Sequence, residues 1–599
     1  MIDFNAKKYI KTHIQQKSTY EISKKIGVER SEILEYLQKI WKEDKFNKLI
    51  ASEKGTQDNS IFSIKTLFKE YKYLFYSLAG LILLIYFNSL DNAFVSDDIA
   101  GILHNSNIAN LNYVFSDFFY LTSKVIRFII YILFGLTPIF FRLVNILAHI
   151  GSTLCLFFIV AKVVSKKVAI YSSLIFAVHP ILSESIAWIG GSDYVLYGFF
   201  FLLSFVFYLY SNSNRHLQIL SLISYFLMLQ TSEKTFHLFL IFIFFEFCFG
   251  KLRLNWKKIV PYFVLSVIWA LHYISALFWK VSSVVVDYGA EKGFDNPLLQ
   301  IPVAISSYLK LIFWPSKLTI YHSELTLSYY EYVFSALILL VFLFILSWLF
   351  IKKRKISFWL IFFVVSLLPF LTPFRISWLV AERYVYLGTI GIIIPVGIIF
   401  KHFEDKSENL KQYVLFIFCI LIFLLAGRTV VRNNDWQNED SLWIATGYTS
   451  PSSAQNHNNL GDVYGRRGDL NRSFKEFSKA IELRSNYADA YHNLANTYQQ
   501  LKNIDKAVEN YNLAIKYNPK LWQSYQNLAL IYFEKKDYKL AIFYLEKAYK
   551  INPSDINILN NIGVVFLGSG DKVSAKKIFE QVLTFDPNNE NAKEALGSL

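Results

Sequence analysis

Between residues 73 and 428 the chain passes through one apolar segment after another, each near the length a helix needs to cross a bilayer. In hydrocarbon, backbone N–H and C=O groups must be satisfied within the protein, so a span takes about 20 mostly apolar residues as an α-helix. The candidates are 73–90, 140–162, 167–183, 194–211, 216–231, 234–250, 258–279, 329–351, 356–373, 384–401 and 411–428. An ordinary soluble fold is excluded, and the 54% hydrophobic content and mean hydropathy of +0.32 agree. No early apolar core marks a cleavable signal peptide, since the first 70 residues are polar and rich in lysine.

Basic residues orient the spans. The lysine-rich N-terminal arm, Lys162, Lys166 and Lys167, Arg215, and Lys251, Arg253, Lys257 and Lys258 all fall on one side if the segments alternate. By the positive-inside rule that side is cytoplasmic. The run Lys352-Lys353-Arg354-Lys355 joins them only if the apolar stretch 301–315, bounded by Pro302 and Pro315, is re-entrant or interfacial. This gives about eleven spans, with the N-terminus inside and the C-terminus outside. The net charge of +15 is thus a topology signal, not a nucleic-acid signature. The outer side then holds Asp97-Asp98, residues 179–193, Glu233-Lys234, residues 280–328, Glu382-Arg383 and everything after 428.

The C-terminal part is polar and periodic. Leu460, Leu494, Leu528 and Ile562 are 34 residues apart, as are Tyr464, Tyr498, Tyr532 and Phe566, and the small residues Ser473, Ala507, Ala541 and Ala575. Pro519, Pro553 and Pro587 close three units. This is the tetratricopeptide period: four helix–turn–helix repeats, with 588–599 as a capping helix. Asn459, Asn493, Asn527 and Asn561 form a further ladder at the same spacing. A carboxamide donates and accepts, so such a row suits an extended peptide of any sequence; equally, it suits packing between repeats. The three cysteines all lie in apolar stretches, which leaves no disulfide framework.

The expected fold is all-α: a helix-turn-helix-like cytoplasmic module over 1–45, a linker over 46–70, a membrane domain over 71–430, a connector over 431–453, and the solenoid over 454–599. Glu29, Glu32 and Glu35 on the second helix of the N-terminal module argue against nucleic-acid binding and for protein contact.

Five polar blocks punctuate the membrane domain: HPILSESIAWIGGSD (179–193), TSEKT (231–235), WPSKLTIY (314–321), AERYVYLG (381–388) and RTVVRNNDWQNEDSLW (428–443). With the acidic pair Asp97-Asp98 and the repeats, they resemble the transmembrane-and-tetratricopeptide (TMTC-type) protein O-mannosyltransferases of the GT-C superfamily, over roughly residues 72–599. The sequence departs from that family at Gly191-Ser192-Asp193, where a Gly-Arg-x-Asp run is usual, and at Ser232-Glu233-Lys234, where Lys-Glu is. It also lacks a clear Arg-Pro before the second span; Lys124 and Arg127 are the nearest basic groups.

The resemblance implies transfer of a sugar, mannose by analogy, from a polyprenyl-phosphate carrier to Ser or Thr of a protein. It implies a carboxylate base at Asp97 or Asp98, with Asp97 slightly favoured by motif position. One of the pair equally suits a cap on the helix that follows. A departing phosphate calls for a cation, and Arg383 is the first candidate and Lys234 the second. His179, Glu184, Asp193, Glu233 and Glu382 are candidates to orient sugar or loop, or members of a structural network. His179 has no second histidine at ligand spacing, so no metal site is expected there; no cofactor is expected beyond the lipid-linked donor. Two rivals stand: a lipid or polysaccharide glycosyltransferase of the same superfamily, and a non-catalytic scaffold using its repeats. The expected location is a cell membrane with the repeats outside, or the endoplasmic reticulum with the repeats lumenal in a eukaryote.

Overall fold

The computed structural model describes residues 4–14, 19–26, 28, 30–41, 64–116, 120–211, 214–283, 297–320, 322, 328–371 and 380–599, and within them every regular element is a helix. The expected linker falls outside the described residues as far as residue 63, as do 284–296, 321 and 323–327 of the long outer loop. At the N-terminus the two helices Thr19–Ile26 and Arg30–Ile40 of the helix-turn-helix-like module are preceded by a third, Phe4–His13. They close on a small core of Ile10, Ile14, Ile22, Ile33 and Leu37.

A helix stands at each expected membrane segment. Five are long and apolar enough to cross a bilayer: Ile64–Ser89, Pro138–Val163, Ile189–Tyr210, Tyr329–Lys352 and Glu408–Asp435. Lys166–Val178 and Pro180–Ala187 make a sixth if this pair, bent by 52°, is one span. The others are shorter, such as Arg215–Leu229, Phe239–Cys248, Arg354–Leu367 and Thr389–Glu404, except Leu252–Ser283, a helix of 32 residues that runs through Pro261. They are shorter because the chain tightens into 3-10 turns at Glu233–Leu238, Leu368–Phe370 and Glu382–Val385. Those turns carry the polar blocks and take them out of the spans. Among the helices not foreseen, Leu121–Phe134 follows the acidic loop and brings Ser123 and Arg127 against Ser192-Asp193.

The bundle packs through small residues, as membrane helices must where burial of apolar surface gives no preference for protein over lipid. A Cβ on Gly151 would meet the Phe199 ring at 2.4 Å, and one on Gly198 the Tyr386 ring at 2.7 Å. At Gly391 the contact is backbone, with the Trp359 carbonyl 2.4 Å from a Cβ position. The Pro138–Val163 and Ile189–Tyr210 helices are central, whereas Tyr329–Lys352 has only 11% of its apolar window buried and lies at the edge.

The solenoid follows the 34-residue period closely. Its helix pairs are Ala454–Arg466 with Leu470–Leu483, Ala488–Gln500 with Ile504–Tyr517, Trp522–Glu534 with Tyr538–Ile551, and Ile556–Gly568 with Lys572–Phe585; Glu590–Gly597 follows as a cap. Ser473, Ala507, Ala541 and Ala575 are fully buried where the paired helices cross. Asp469, Asn503, Asp537 and Asp571 each cap the second helix of their repeat by accepting a backbone N–H.

Gly391→Ala is expected to lower the melting temperature of the purified protein, at a cost of about 1–3 kcal/mol for forced overpacking. Gly427→Ala, with nothing within 4 Å of its Cβ position, serves as the control and should leave the melting temperature unchanged or slightly higher.

Candidate functional site

The acidic loop leaves the first membrane helix at Ser89 and bends through Ser96, whose φ of 54° is left-handed. The bend separates the two carboxylates. Asp97 is exposed, and Asp98 is 1% exposed. Asp98 does not cap the Ile99–Leu103 turn with its side chain. Its Oδ2 instead accepts the Val95 N–H at 3.4 Å, and its Oδ1 lies over Gly190, where a Cβ would come within 3.1 Å. Burial pushes the Asp98 carboxyl up to about 7, against the pull of the Val95 hydrogen bond and of the Arg127 and Arg142 charges.

Arg142 shapes this loop, and sequence reasoning gave it no role. It is fully buried and donates to four carbonyls: Ala187 at 2.7 Å, Asn92 at 2.8 Å, Leu90 at 2.9 Å and Ala93 at 3.2 Å. Asn145, one turn on, donates to the Ile186 and Trp188 carbonyls at 3.3 and 3.2 Å. One helix therefore fastens the acidic loop to the 179–193 block. The available signal was a lone arginine inside an apolar segment, which is costly unless it is partnered.

Glu382 and Arg383 are adjacent but point to different partners. Arg383 forms a buried ion pair with Glu184, and its backbone N–H donates to Glu184 Oε2 at 2.9 Å. Its guanidinium lies 5.4 Å from the Trp188 ring centre and 5.0 Å from that of Tyr384. Glu382, fully buried, accepts from Thr319 N–H at 2.5 Å, faces His322 Nε2 at 3.2 Å, and pairs with Arg432 Nη2 at 3.3 Å. Arg432 continues to Asp435 at 2.9 Å. The AERY block thus joins the 179–193, 314–322 and 428–435 segments through two buried charge pairs.

Lys234 is the more accessible cation, its side chain 34% exposed against 10% for Arg383. It donates to Tyr194 OH at 3.2 Å, stands 3.9 Å from Glu233, and sits among the rings of Tyr194, Phe370 and Tyr384. Phe370 and Tyr384 stack at 4.0 Å. Asp193 accepts from Ser123 at 2.6 Å and lies 3.7 Å from Arg127. His179 spends both ring nitrogens on backbone, with Nε2 2.9 Å from the Ile312 carbonyl and Nδ1 accepting from Ile181 N–H. It ties two segments together.

The connector is part of the site. Trp188 stacks on Trp436 at 5.7 Å and donates to the Val95 carbonyl at 3.2 Å. Val95, Trp188, Trp436, Leu442 and Trp443 share a core with Leu460 and Val463 of the first repeat. Glu439 accepts from the Ser96 backbone N–H, and from Trp443 Nε1 at 2.7 Å. The segment leading into the solenoid therefore grips the loop that bears the carboxylates.

Along the solenoid, Asn459, Asn493, Asn527 and Asn561 are all half-buried. Two donate to side chains of the neighbouring repeat: Asn493 to Asn458 at 3.0 Å, and Asn527 to Asn496 at 2.8 Å. The ladder stitches repeats together at these rungs.

With this geometry in view, the similarities to known proteins take on a position. The tetratricopeptide repeat family matches residues 452–520, 523–555 and 556–589. The chain is similar to Protein O-mannosyl-transferase TMTC3 of Homo sapiens, 23% identical over 475 residues, which is 69% of this chain and 52% of that protein. It is similar to Protein O-mannosyl-transferase Tmtc2 of Drosophila melanogaster, 30% identical over 128 residues, 21% of this chain and 13% of that one. Protein O-mannosyl-transferase TMTC1 of Homo sapiens is 35% identical over 155 residues, 22% of this chain and 17% of its own length. The chain thus spans about half or less of these relatives. Membrane-length helices and tetratricopeptide repeats on one chain agree with that likeness.

The raised Asp98 carboxyl sets a pH test. Folding favours its protonated form, so its contribution to stability is complete near the ordinary value of 3.8 and is lost as pH rises towards about 7. Asp98→Asn cannot ionise. Thermal melts should show it above the parent at about pH 8, with the gain shrinking steadily towards about pH 4. A gain independent of pH would refute the burial account.

Proposed function

We propose that this chain, a relative of the TMTC-type protein O-mannosyl-transferases, is an integral membrane glycosyltransferase that moves a sugar from a polyprenyl-phosphate carrier to Ser or Thr of a protein. The observation that carries the reading is convergence. The acidic loop, the 179–193 block, the AERY block and the repeat-bearing connector meet around Trp188. A carboxylate and buried cations thereby share one end of the bundle, which the positive-inside rule makes the outer one.

The chemistry divides between two kinds of group. The acceptor hydroxyl oxygen attacks the anomeric carbon, the bond from that carbon to the phosphate oxygen breaks, and the phosphate leaves with the electron pair. The hydroxyl proton passes to a carboxylate. A single displacement inverts the anomeric centre, unlike the paired-carboxylate route that retains it. Asp97 suits the base because it is exposed beside the buried, fastened Asp98. Asp98 holds the loop's shape through Val95. The order of the two cations reverses from the expectation: Arg383 is committed to Glu184, whereas Lys234 is half-exposed in an aromatic recess and reaches an incoming phosphate first. Arg383 then acts as a fixed positive charge behind it.

The solenoid holds the acceptor protein. A peptide groove has no use in a lipid or polysaccharide transferase, which weighs against that rival. A scaffold without chemistry would not require buried charge pairs beneath a carboxylate loop.

Asp97→Asn should lower sugar transfer by about 10²–10⁴-fold with an unchanged melting temperature, the range for loss of a general base. Full activity in this variant removes the mechanism. Removal of residues 519–599 leaves the first repeat docked on the Trp188 core. Transfer to protein acceptors is then expected to be lost with donor binding kept, and unchanged protein glycosylation rejects the groove. A reporter placed after Leu599 should be found on the non-cytosolic side.

A further inference from the structure

We propose that a cleft at the opposite end of the bundle, between the turn at Cys248–Gly250 and the turn at Ile351–Ile356, binds the headgroup of an anionic phospholipid. The cleft is shallow and open, with a volume of about 520 Å³, and its polar wall is Lys352, Lys353, Arg354 and Lys355. All four are exposed, and none forms an ion pair among the described residues. Four lysines at other turns of the bundle are neutralised. Lys166 pairs with Glu70 at 2.7 Å, Lys167 with Glu404 at 3.0 Å, Lys401 with Asp405 at 2.6 Å, and Lys411 with Glu408 at 3.2 Å.

Two further observations point to an anion in this cleft. Lys353, Arg354 and Lys355 stand at the N-terminus of the Arg354–Leu367 helix, which has no acidic residue in its first turn and no side-chain cap. Cations at the positive end of a helix are unfavourable on their own, and an anion bound there satisfies both the charges and the open N–H groups. Two of the cations are also braced by rings: Arg354 lies 5.2 Å from the Phe247 ring centre and 5.5 Å from that of Phe350, and Lys355 lies 5.6 Å from that of Phe249.

The other wall selects a lipid over free phosphate. Ile351 is 77% exposed, and the Tyr329–Lys352 helix above it presents Phe344 and Leu340 outward along its length. An acyl chain can follow that face from a headgroup held in the cleft. Basic pockets between membrane helices are suited to such headgroups, each nearby cation adding to the attraction. A signal that only orients the chain during insertion needs the charges but no cleft.

The test uses the full chain in detergent, titrated with phosphatidylglycerol, with phosphatidylcholine of the same acyl chains, and with inorganic phosphate, and read by native mass spectrometry and by melting temperature. Phosphatidylglycerol should remain bound and raise the melting temperature, while the other two do neither. K352Q/K353Q/R354Q/K355Q should weaken phosphatidylglycerol binding by at least about tenfold. K166Q/K401Q/K411Q, which removes paired lysines, should not. If the quadruple variant is not monodisperse, R354Q/K355Q tests the same site with a smaller loss. Undiminished phosphatidylglycerol binding in a folded variant, equal binding of phosphatidylcholine, or displacement of the lipid by phosphate would each overturn the proposal.

Discussion

Two charge pairs buried side by side organise the end of the bundle that holds the acidic loop. Glu382 and Arg383 are neighbours in a single 3-10 turn, yet one binds Arg432 and the other Glu184. A buried charge without a partner costs several kcal/mol, so removing any one of the four would leave its partner stranded. The pairs therefore dictate that three distant segments meet, whatever the apolar packing beneath them allows. Specificity of arrangement, more than net stability, is what such pairs supply here, because two ions taken out of water recover little beyond the cost of desolvation.

The same logic extends to the carboxylate loop. Short loops at a membrane surface lack the apolar area to hold themselves, so their backbone carbonyls need donors. Arg142 supplies most of them from the centre of the bundle, and Glu439 takes the Ser96 N–H from the side of the connector. The loop is gripped from below by a membrane helix and from above by the entrance to the solenoid. Movement of the first repeat would be felt at Ser96, one residue before Asp97, through Trp443 and Glu439. The first repeat and the acidic loop are in this way mechanically joined.

The two ends of the bundle contrast in how they treat charge. At the end with the acidic loop, cations are paired or caged by aromatic rings, and the one left half-open, Lys234, faces a recess. At the other end, a run of four cations remains without carboxylates beside an exposed apolar helix. Charges left uncompensated at the foot of a membrane helix are best placed where the lipid itself carries the counter-charge.

Much of this was legible in the residues alone. Helical membrane segments follow from apolar length, because hydrocarbon leaves the backbone no other choice. The solenoid follows from a 34-residue period, because small residues must recur where helices cross, and Ser473, Ala507, Ala541 and Ala575 do. Outer polar blocks were visible as breaks in the apolar pattern. What only the tertiary structure decided is which of their groups touch. Motif position favours Asp97 over Asp98 only slightly; the fold separates them, leaving Asp97 exposed and burying Asp98. Arg383 ranked ahead of Lys234 as a free cation by residue type, and only the fold shows that Glu184 claims it. Arg142 drew no role from the sequence, because the carbonyls it binds lie about 45–50 positions away. Partners so far apart along the chain leave no local pattern, because pairing depends on three-dimensional proximity and the cost of leaving a buried charge or carbonyl unmatched.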